Sequence, residues 1–476
     1  MPNEVELKFD LDPDDVALVR EAPALASTAC ESCDHETVYF DTAGRALRAA
    51  GFSLRVRRTG DRFVQTMKRR NGGSVGLFVR DEWEDEVPEC APVLDRLKAA
   101  AVKRVLARIG TDPLLPLIRT LFSRTRWTVD FRGSCIEVVL DEGRVVSGDS
   151  EAPICELELE LIHGKPRALF RLAKEIGATV PLRLGVLSKV ERGYALTEDL
   201  LGAAAGAVPV QLSPEIDQRT AFRAVANACL RQFRLNEIAL LSGRRDAESL
   251  HHGRVALRRL RSAFVLFRPI LVGKEFRHLR EDLRWLAGQL GEARDLDVLI
   301  ARSARATADL RRRRDKAYAK VEATLRAPRA RALLLRLAAW IEGGNWRHRD
   351  AADDPVGPFA QHRLDRLWEK VARRGSKLAE LDADSRHRLR IDAKKLRYSA
   401  EFLSGLHANR KARARRDRFV AALKTLQDCL GDINDARLGL AGRAADGGGA
   451  DPSDTELLPA RQAFDRAEAA AGYWRS

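Results

Sequence analysis

This chain of 476 residues lacks most of the features that announce a catalytic chemistry. It has no phosphate-binding P-loop, no strand-to-helix nucleophile elbow and no HExxH zinc pair, which sets aside P-loop nucleotide hydrolases, α/β-hydrolases and zincin peptidases. No run of 18 apolar residues occurs and no signal peptide is recognisable, so no membrane partner is expected. The seven cysteines, an odd number, fit a reduced cytoplasmic protein better than a disulfide framework. Cys30-Glu31-Ser32-Cys33, followed by His35, has redox or zinc spacing, but no second CxxC completes a site and the motif reads as a loop coincidence. The seven tryptophans are scattered instead of interleaved with basic residues, so nothing is set to stack on nucleic-acid bases.

What the first 200 residues do contain is alternation. In Glu4-Val5-Glu6-Leu7-Lys8-Phe9 the charged side chains share one face of a strand and the apolar ones the other. The pattern recurs in Ser53-Leu54-Arg55-Val56-Arg57, around Lys68, through Arg80, Glu82, Glu84 and Glu86, at Arg124 and Arg126, and most strictly in Cys155-Glu156-Leu157-Glu158-Leu159-Glu160-Leu161. Whole strands are acidic or basic, which predicts a closed antiparallel barrel with charge inside and hydrocarbon outside, the exterior covered by helices or a partner. Carboxylates gathered in such a space demand cations and clustered arginines demand a polyanion. Mg²⁺ or Mn²⁺ on carboxylate oxygen, with arginine forks on phosphate, satisfies both.

These residues resemble the CYTH, or triphosphate tunnel metalloenzyme, superfamily. Glu4-x-Glu6-x-Lys8 is similar to its ExExK signature, and Tyr39-Phe40-Asp41-Thr42, the Arg55/Arg57 strand, Lys68, the Glu82/Glu84 strand, Arg124/Arg126, Leu140-Asp141-Glu142-Gly143, the ELELEL run and Ser188-Lys189-Val190-Glu191-Arg192-Gly193-Tyr194 follow in family order. The resemblance implies an eight-stranded barrel tunnel with flanking helices over residues 1–205, and metal-dependent hydrolysis of a terminal phosphoanhydride. It implies metal ligands among Glu4, Glu6, Asp141, Glu156, Glu158 and Glu160. Phosphate contacts would come from Lys8, Arg55, Arg57, Lys68, Arg80, Arg124, Arg126, Arg183 and Lys189, with Glu4, Lys8, Lys68 and Lys189 in catalytic roles.

Composition changes abruptly after that region. Residues 1–200 hold 29 Lys/Arg against 33 Asp/Glu, a net of −4, whereas the remainder holds 54 against 35, a net of +19. A small-residue stretch leads to a linker at 206–214, and a helix start follows Ser213-Pro214-Glu215. From 215 to 476 the apolar period becomes about 3.6, broken at Gly343-Gly344, Asp353-Asp354-Pro355 and Gly447-Gly448-Gly449, which predicts an all-α domain.

That domain repeats itself. His251-His252-Gly253-Arg254 through Arg258-Arg259-Leu260-Arg261 aligns with His387-Arg388-Leu389-Arg390 through Lys394-Lys395-Leu396-Arg397, and Leu290-Gly291 through Asp295 aligns with Leu430-Gly431 through Asp435. On a helix each set forms one basic stripe, leaving Val255, Leu260 and Phe264, or Ile391, Leu396 and Leu403, for the core. Like charges stacked at i+3 and i+4 repel, so holding them twice points to a polyanion that neutralises them. Among so many arginines His251 and His387 are expected to be neutral near pH 7. The arrangement resembles the CHAD domain, which implies two pseudo-repeated four-helix bundles and long-chain inorganic polyphosphate bound by His251, Arg254, Arg258, Arg259, Arg261, His387, Arg390, Lys394, Lys395 and Arg397.

The CYTH-then-CHAD order is similar to that of bacterial inorganic triphosphatases. The reading is a cytoplasmic enzyme, associated with polyphosphate granules, that splits tripolyphosphate with Mg²⁺ or Mn²⁺. A non-catalytic polyphosphate-binding protein, a thiamine triphosphatase and a class IV adenylate cyclase remain open alternatives.

Overall fold

The structure is a computed structural model that describes residues 4–70, 75–303, 307–348, 350–406, 409–437 and 452–475. Gly447-Gly448-Gly449 and the side chain of Asp435 lie outside the described residues. Contacts divide the chain into two compact units that interleave in sequence. One comprises Met1–Ala205, Arg234–Ser249 and Ala323–Gly343, the other Gly206–Phe233, Leu250–Glu322 and Gly344–Ser476.

Eight strands close the barrel of the first unit: β1 (Glu4–Asp10), β2 (Cys30–Asp41), β3 (Phe52–Thr59), β4 (Arg62–Arg70), β5 (Leu77–Val87), β6 (Leu115–Phe131), β7 (Ser134–Ser147) and β8 (Ser150–His163). Their order is β5-β4-β3-β2-β6-β7-β8-β1, and antiparallel pairing of β1 with β5 completes the ring; β9 (Arg183–Leu184) adds to the side of β1. Register aligns the alternation of every strand, with Lys8 opposite Glu158, Glu6 opposite Glu160, Arg124 opposite Asp141 and Lys68 opposite Glu82. The alternate, apolar residues of each strand point outward and are covered. The helix Ala100–Ile109 lays Val102, Val105 and Ile109 over Val38, Phe40, Leu54, Val56 and Met67, and the helix Arg167–Ile176 buries Leu169, Leu172 and Ile176 against β8 and β1. The apolar exterior is thereby removed from water, the main favourable term in the fold. A Gly-x-Ser-x-Gly string, Gly72–Gly76, stands just before β5 in sequence, and its Gly72-Gly73-Ser74 part lies outside the described residues.

One stretch of the interior is apolar and is filled from within. The helix Lys189–Thr197 starts at a reciprocal cap, Ser188 with Glu191, and packs Tyr194 and Val190 on the inward-facing Ile118, Val145, Ala152 and Ile154. Gly193 has to be small, because a Cβ there would lie 2.5 Å from Ile118 Cγ2. Asp41 locks this helix to the barrel: its fully buried carboxylate accepts from the backbone N–H groups of Thr42, Leu47 and Arg48 and from the Tyr194 hydroxyl, at 2.8–3.0 Å. The Tyr39–Thr42 segment is thus an architectural joint. The CxxC segment lies in strand β2, not in a loop. Residues three apart on a strand face opposite sides, so Cys30 and Cys33 cannot share a metal, and all seven cysteines are free.

Two aromatic clusters organise the helical unit. Phe222, Phe264, Phe267 and Trp346 form one, and Trp368, Phe419, Phe464, Tyr473 and Trp474 the other. Two basic stripes lie on the helices Ala247–Leu266 and Ala383–Phe402, and the arginine at the same place in each makes the same contact. Arg254 donates to Ala287 O at 3.1 Å and Arg390 to Gln427 O at 3.3 Å, each passing over a glycine, Gly291 or Gly431. Leu260, Phe264, Leu396 and Leu403 are buried as expected. Ile391 is exposed, because it stands four residues after His387 and three before Lys394 and so belongs to the basic stripe itself.

Removing the Asp41 carboxylate leaves four donors of the joint unmatched. Asp41→Ala is expected to lower the unfolding free energy by about 3 kcal/mol in urea titrations; a loss under about 1 kcal/mol would contradict this role.

Candidate active site

Charge inside the barrel separates into two acidic groups with different partners. Asp141, Glu156 and Glu158 approach one another closely enough to hold a cation, with ligand oxygens within 4.8 Å. An ammonium already occupies that place: Lys189 Nζ lies 2.7 Å from Asp141, 2.9 Å from Glu156 and 3.0 Å from Glu158. Lys8 adds a 2.5 Å contact to Glu156, Arg124 forks onto Asp141 with two bonds of 2.7 Å, and Arg192 reaches Glu156 at 3.4 Å. Burial alone would lift these three carboxyl pKa values, yet Lys189, Lys8 and Arg124 hold all three below the ordinary range, Glu156 at about 2.

Glu6 and Glu160, beside Glu4, behave in the opposite way. Lys68 sits 2.9 Å from Glu4 and Arg80 3.2 Å from Glu6, but burial and mutual repulsion outweigh these contacts at Glu6, whose pKa rises. Burial together with Glu4 and Glu6 pushes Glu160 up to about 7. Negative charge here exceeds the cations supplied, whereas the Lys189 group is amply neutralised. Both groups are carboxylate-only donor sets of the kind a hard divalent cation takes; among the described residues only Asp141, Glu156 and Glu158 bring their oxygens within 4.8 Å of one another, whereas Glu4, Glu6 and Glu160 are the set left short of counter-charge.

The wall formed by β2, β3 and β6 carries the reverse imbalance. Arg57 has no carboxylate within ion-pair distance among the described residues; it donates to Thr37 Oγ1 at 3.3 Å and lies over the Phe122 ring. Burial, with Arg55 and Arg124 alongside, pushes its pKa down to about 9, the state of a guanidinium short of an anion. Arg55 bonds Tyr39 and stands 3.7 Å from Glu82, and the cations around Tyr39 outweigh its burial and lower its pKa. His35, held between Thr59 and Cys33, is pushed down to about 4 by burial and by Arg57 and Arg124. An anion is what this wall lacks.

A second cation surplus lies in the helical unit. Arg258 donates to the Tyr398 hydroxyl at 2.8 Å and, with Arg390 and Arg397, adds to burial in lowering the Lys394 pKa to about 8. Burial, then Arg294, His252, Arg258 and Arg254, bring His251 down to about 4.

Family models match both halves, the CYTH domain over residues 2–194 and the CHAD domain over 224–441. This chain joins a CYTH domain to a CHAD domain. Its CYTH half is similar to the inorganic triphosphatase of Haemophilus influenzae, 27% identical over 202 residues; the alignment takes in 41% of this chain and spans 55%, about half, of that relative's length. Its CHAD half is similar to the CHAD domain of the plant Ricinus communis, 30% identical with a TM-score of 0.44, covering 57% of this chain and 90% of the other. PptA of Streptomyces chartreusis is 18% identical with a TM-score of 0.32, over 55% of this chain and 98% of its own.

Not every residue anticipated from sequence joins these groups. In the CYTH barrel Arg126 is largely exposed and paired with Glu137 at 3.2 Å, and Arg183 turns to Asp12 at 3.5 Å, away from the Lys189 group. In the CHAD helices Arg259 is buried against Glu401 and Phe402, Arg397 also reaches Glu401, and Lys395 bonds Asp392 at 3.1 Å. Arg261 is exposed beside Arg280 and Arg284, and His387 is exposed. Two members were missed. Arg192, three residues after Lys189 and so on the same helical face, was readable from that spacing; Glu82, which holds Lys68 at 3.1 Å, was readable from the β5 alternation.

Glu160 yields a pH signature with a definite sign. A carboxyl whose folded pKa is raised penalises the fold once ionised, so the penalty is absent below about pH 4.5, grows through neutrality and is complete above about 7. In metal-free protein, Glu160→Gln is expected to be about 1–2 kcal/mol more stable than wild type at pH 8 and equal to it at pH 4, after allowance for solvent screening. Equal stability of the two proteins at pH 8 in urea titrations would contradict the assignment.

Proposed function

We propose that the barrel hydrolyses inorganic tripolyphosphate to pyrophosphate and phosphate, and that the CHAD helices bind long-chain polyphosphate. The observation that carries the first part is the pairing of opposite deficits across one interior: Arg57, backed by Arg55 and Arg124, is short of an anion, while Glu4, Glu6 and Glu160 are short of a cation. A polyphosphate chain accompanied by a divalent ion satisfies both.

In this reading Arg55, Arg57 and Arg124 receive the phosphate oxygens. Lys8, Lys68 and Lys189 exchange part of their carboxylate contacts for the substrate, so the barrel passes from an internally paired state to a substrate-paired one with little desolvation cost. Water attacks the terminal phosphorus in line, the bridging P–O bond breaks, and pyrophosphate leaves with the electron pair, its charge met by the neighbouring ammonium groups. In this reading Glu4 orients the water. Mg²⁺ or Mn²⁺ held by Glu4, Glu6 and Glu160 supplies neutralisation of phosphate charge and polarisation of its oxygens.

An inorganic substrate is favoured over thiamine triphosphate or ATP because Arg57, Arg124 and Lys189 stand over the Phe122 ring at 5.3–5.7 Å, so the aromatic side chain nearest the charge cluster already faces cations. For the helices, the support is the Arg258–Lys394 cluster, in which burial and then Arg258, Arg390 and Arg397 lower the Lys394 pKa against the opposing charge of Asp428. No helix among the described residues is long and apolar enough to cross a membrane. The working division is a tunnel domain at 1–205, a linker at 206–214 and a polyphosphate-binding domain at 215–476, acting in the cytoplasm at polyphosphate granules.

Phosphate release from tripolyphosphate by the full chain with Mg²⁺ or Mn²⁺ tests the reading. Glu6→Gln is expected to lose at least about 100-fold in kcat, and Arg57→Ala to raise KM about ten-fold. Full activity in Glu6→Gln, or cyclic AMP made from ATP, would overturn it. Arg258→Glu combined with Lys394→Glu is expected to weaken binding of long-chain polyphosphate at physiological salt by about ten-fold or more and to flatten its salt dependence; unchanged affinity would remove the helices from the account.

A further inference from the structure

Five buried polar atoms without a hydrogen-bond partner gather on and beside β1: Asp10 Oδ2, Arg183 Nε, Arg192 Nε, Arg234 Nη2 and Glu237 Oε1. Arg234 is the outlier among their owners. It belongs to the helix Gln218–Leu241, beyond the CYTH match at 2–194 and inside the CHAD match at 224–441, yet it is packed with the barrel's unit. Its guanidinium is completely buried, donates through Nε to Leu184 O on β9 at 2.9 Å, and pairs with Glu237 on its own helix.

The remaining nitrogen, Nη2, faces Asp10 Oδ2 at 3.5 Å, too long for a good hydrogen bond, and neither atom has another hydrogen-bond partner. The link is therefore one of charge. From Asp10 the chain of contacts runs inward: Asp10 Oδ1 accepts from Arg192 Nη2 at 3.0 Å, the same nitrogen reaches Glu156 Oε1 at 3.4 Å, and Glu156 Oε2 holds Lys8 at 2.5 Å and Lys189 at 2.9 Å. Arg192 is shared between two carboxylates, and one of them, Asp10, also faces Arg234.

We infer that Arg234 is a positioning residue of the tunnel: by engaging Asp10 it leaves Arg192 on Glu156, and so keeps Lys8 and Lys189 free enough to take up phosphate. Without it, Asp10 competes fully for Arg192, Glu156 loses a counter-charge, and its carboxylate draws the two ammonium groups away from the substrate. A residue of the helical region thereby tunes the affinity of the barrel. The inference rests on the triphosphatase reading above and deepens it.

Steady-state kinetics of the full chain with tripolyphosphate and Mg²⁺, paired with calorimetric binding of tripolyphosphate, test it. Arg234→Met is expected to raise KM about ten-fold with kcat within about two-fold of wild type, and adding Asp10→Asn to bring KM most of the way back. That rescue is what a role in packing alone would not produce. Because a buried carboxylate left alone can unfold the protein, Arg234→Lys serves as the second variant: it retains the charge and is expected to keep KM within about three-fold of wild type. A ten-fold KM defect in Arg234→Lys, or an Arg234→Met defect that Asp10→Asn leaves unchanged, overturns the inference while wild-type turnover leaves the triphosphatase reading standing. A wild-type chain that neither binds nor hydrolyses tripolyphosphate overturns both.

Discussion

Charge enclosed in a low-dielectric barrel has to be balanced, and everything distinctive in this protein follows from where that balance is struck and where it is not. Desolvation penalises each of the interior groups, so each must find an opposite charge at short range or shift its protonation. Around Lys189 the balance is complete: three carboxylates and four cations fix one another, and the three carboxyl pKa values move toward full ionisation. At Glu6 and Glu160 on one side and Arg57 on the other it is left open. The completed group is internally paired, and the open ones leave the interior with unmet charge of both signs.

Much of this was legible in the sequence because strands encode facing directly. Period-two alternation at Glu4–Phe9 and Cys155–Leu161 told which side chains share the interior, and closure followed from the need to cover the apolar side. What alternation cannot give is register, and register decides partners. Six acidic residues appeared equivalent as metal ligands; only pairing across strands separates Glu4, Glu6 and Glu160 from the three that Lys189 holds. Asp41 looked like part of a functional motif and is a joint, because its four donors come from backbone turns and a distant tyrosine that no local pattern reveals. Arg126 shares the alternation and Arg183 is implied only by the family resemblance, and they meet Glu137 and Asp12.

The helical half was harder to read for a related reason. A helix shows a stripe, but a stripe of arginines looks the same whether its members point at solvent, at carbonyls or at glutamates. Arg254 and Arg390 are anchored on backbone oxygens, Arg259 is drawn into the core by Glu401 and Phe402, and Ile391, taken for a core residue, lies on the stripe. Composition also placed a single boundary near residue 205, while the helical segments Arg234–Ser249 and Ala323–Gly343 pack with the barrel. Buried contacts such as Arg234 to Leu184 and Asn236 to Ala205 draw the first of them there, and neither is visible from composition.

The central claim is that the interior keeps its metal-seeking carboxylates apart from its internally paired ones. Anomalous diffraction from crystals of the full chain soaked with Mn²⁺ and tripolyphosphate tests this most directly. A manganese peak among Glu4, Glu6 and Glu160, with phosphate density on Arg57, is the predicted result. Manganese among Asp141, Glu156 and Glu158, with Lys189 displaced, would contradict it.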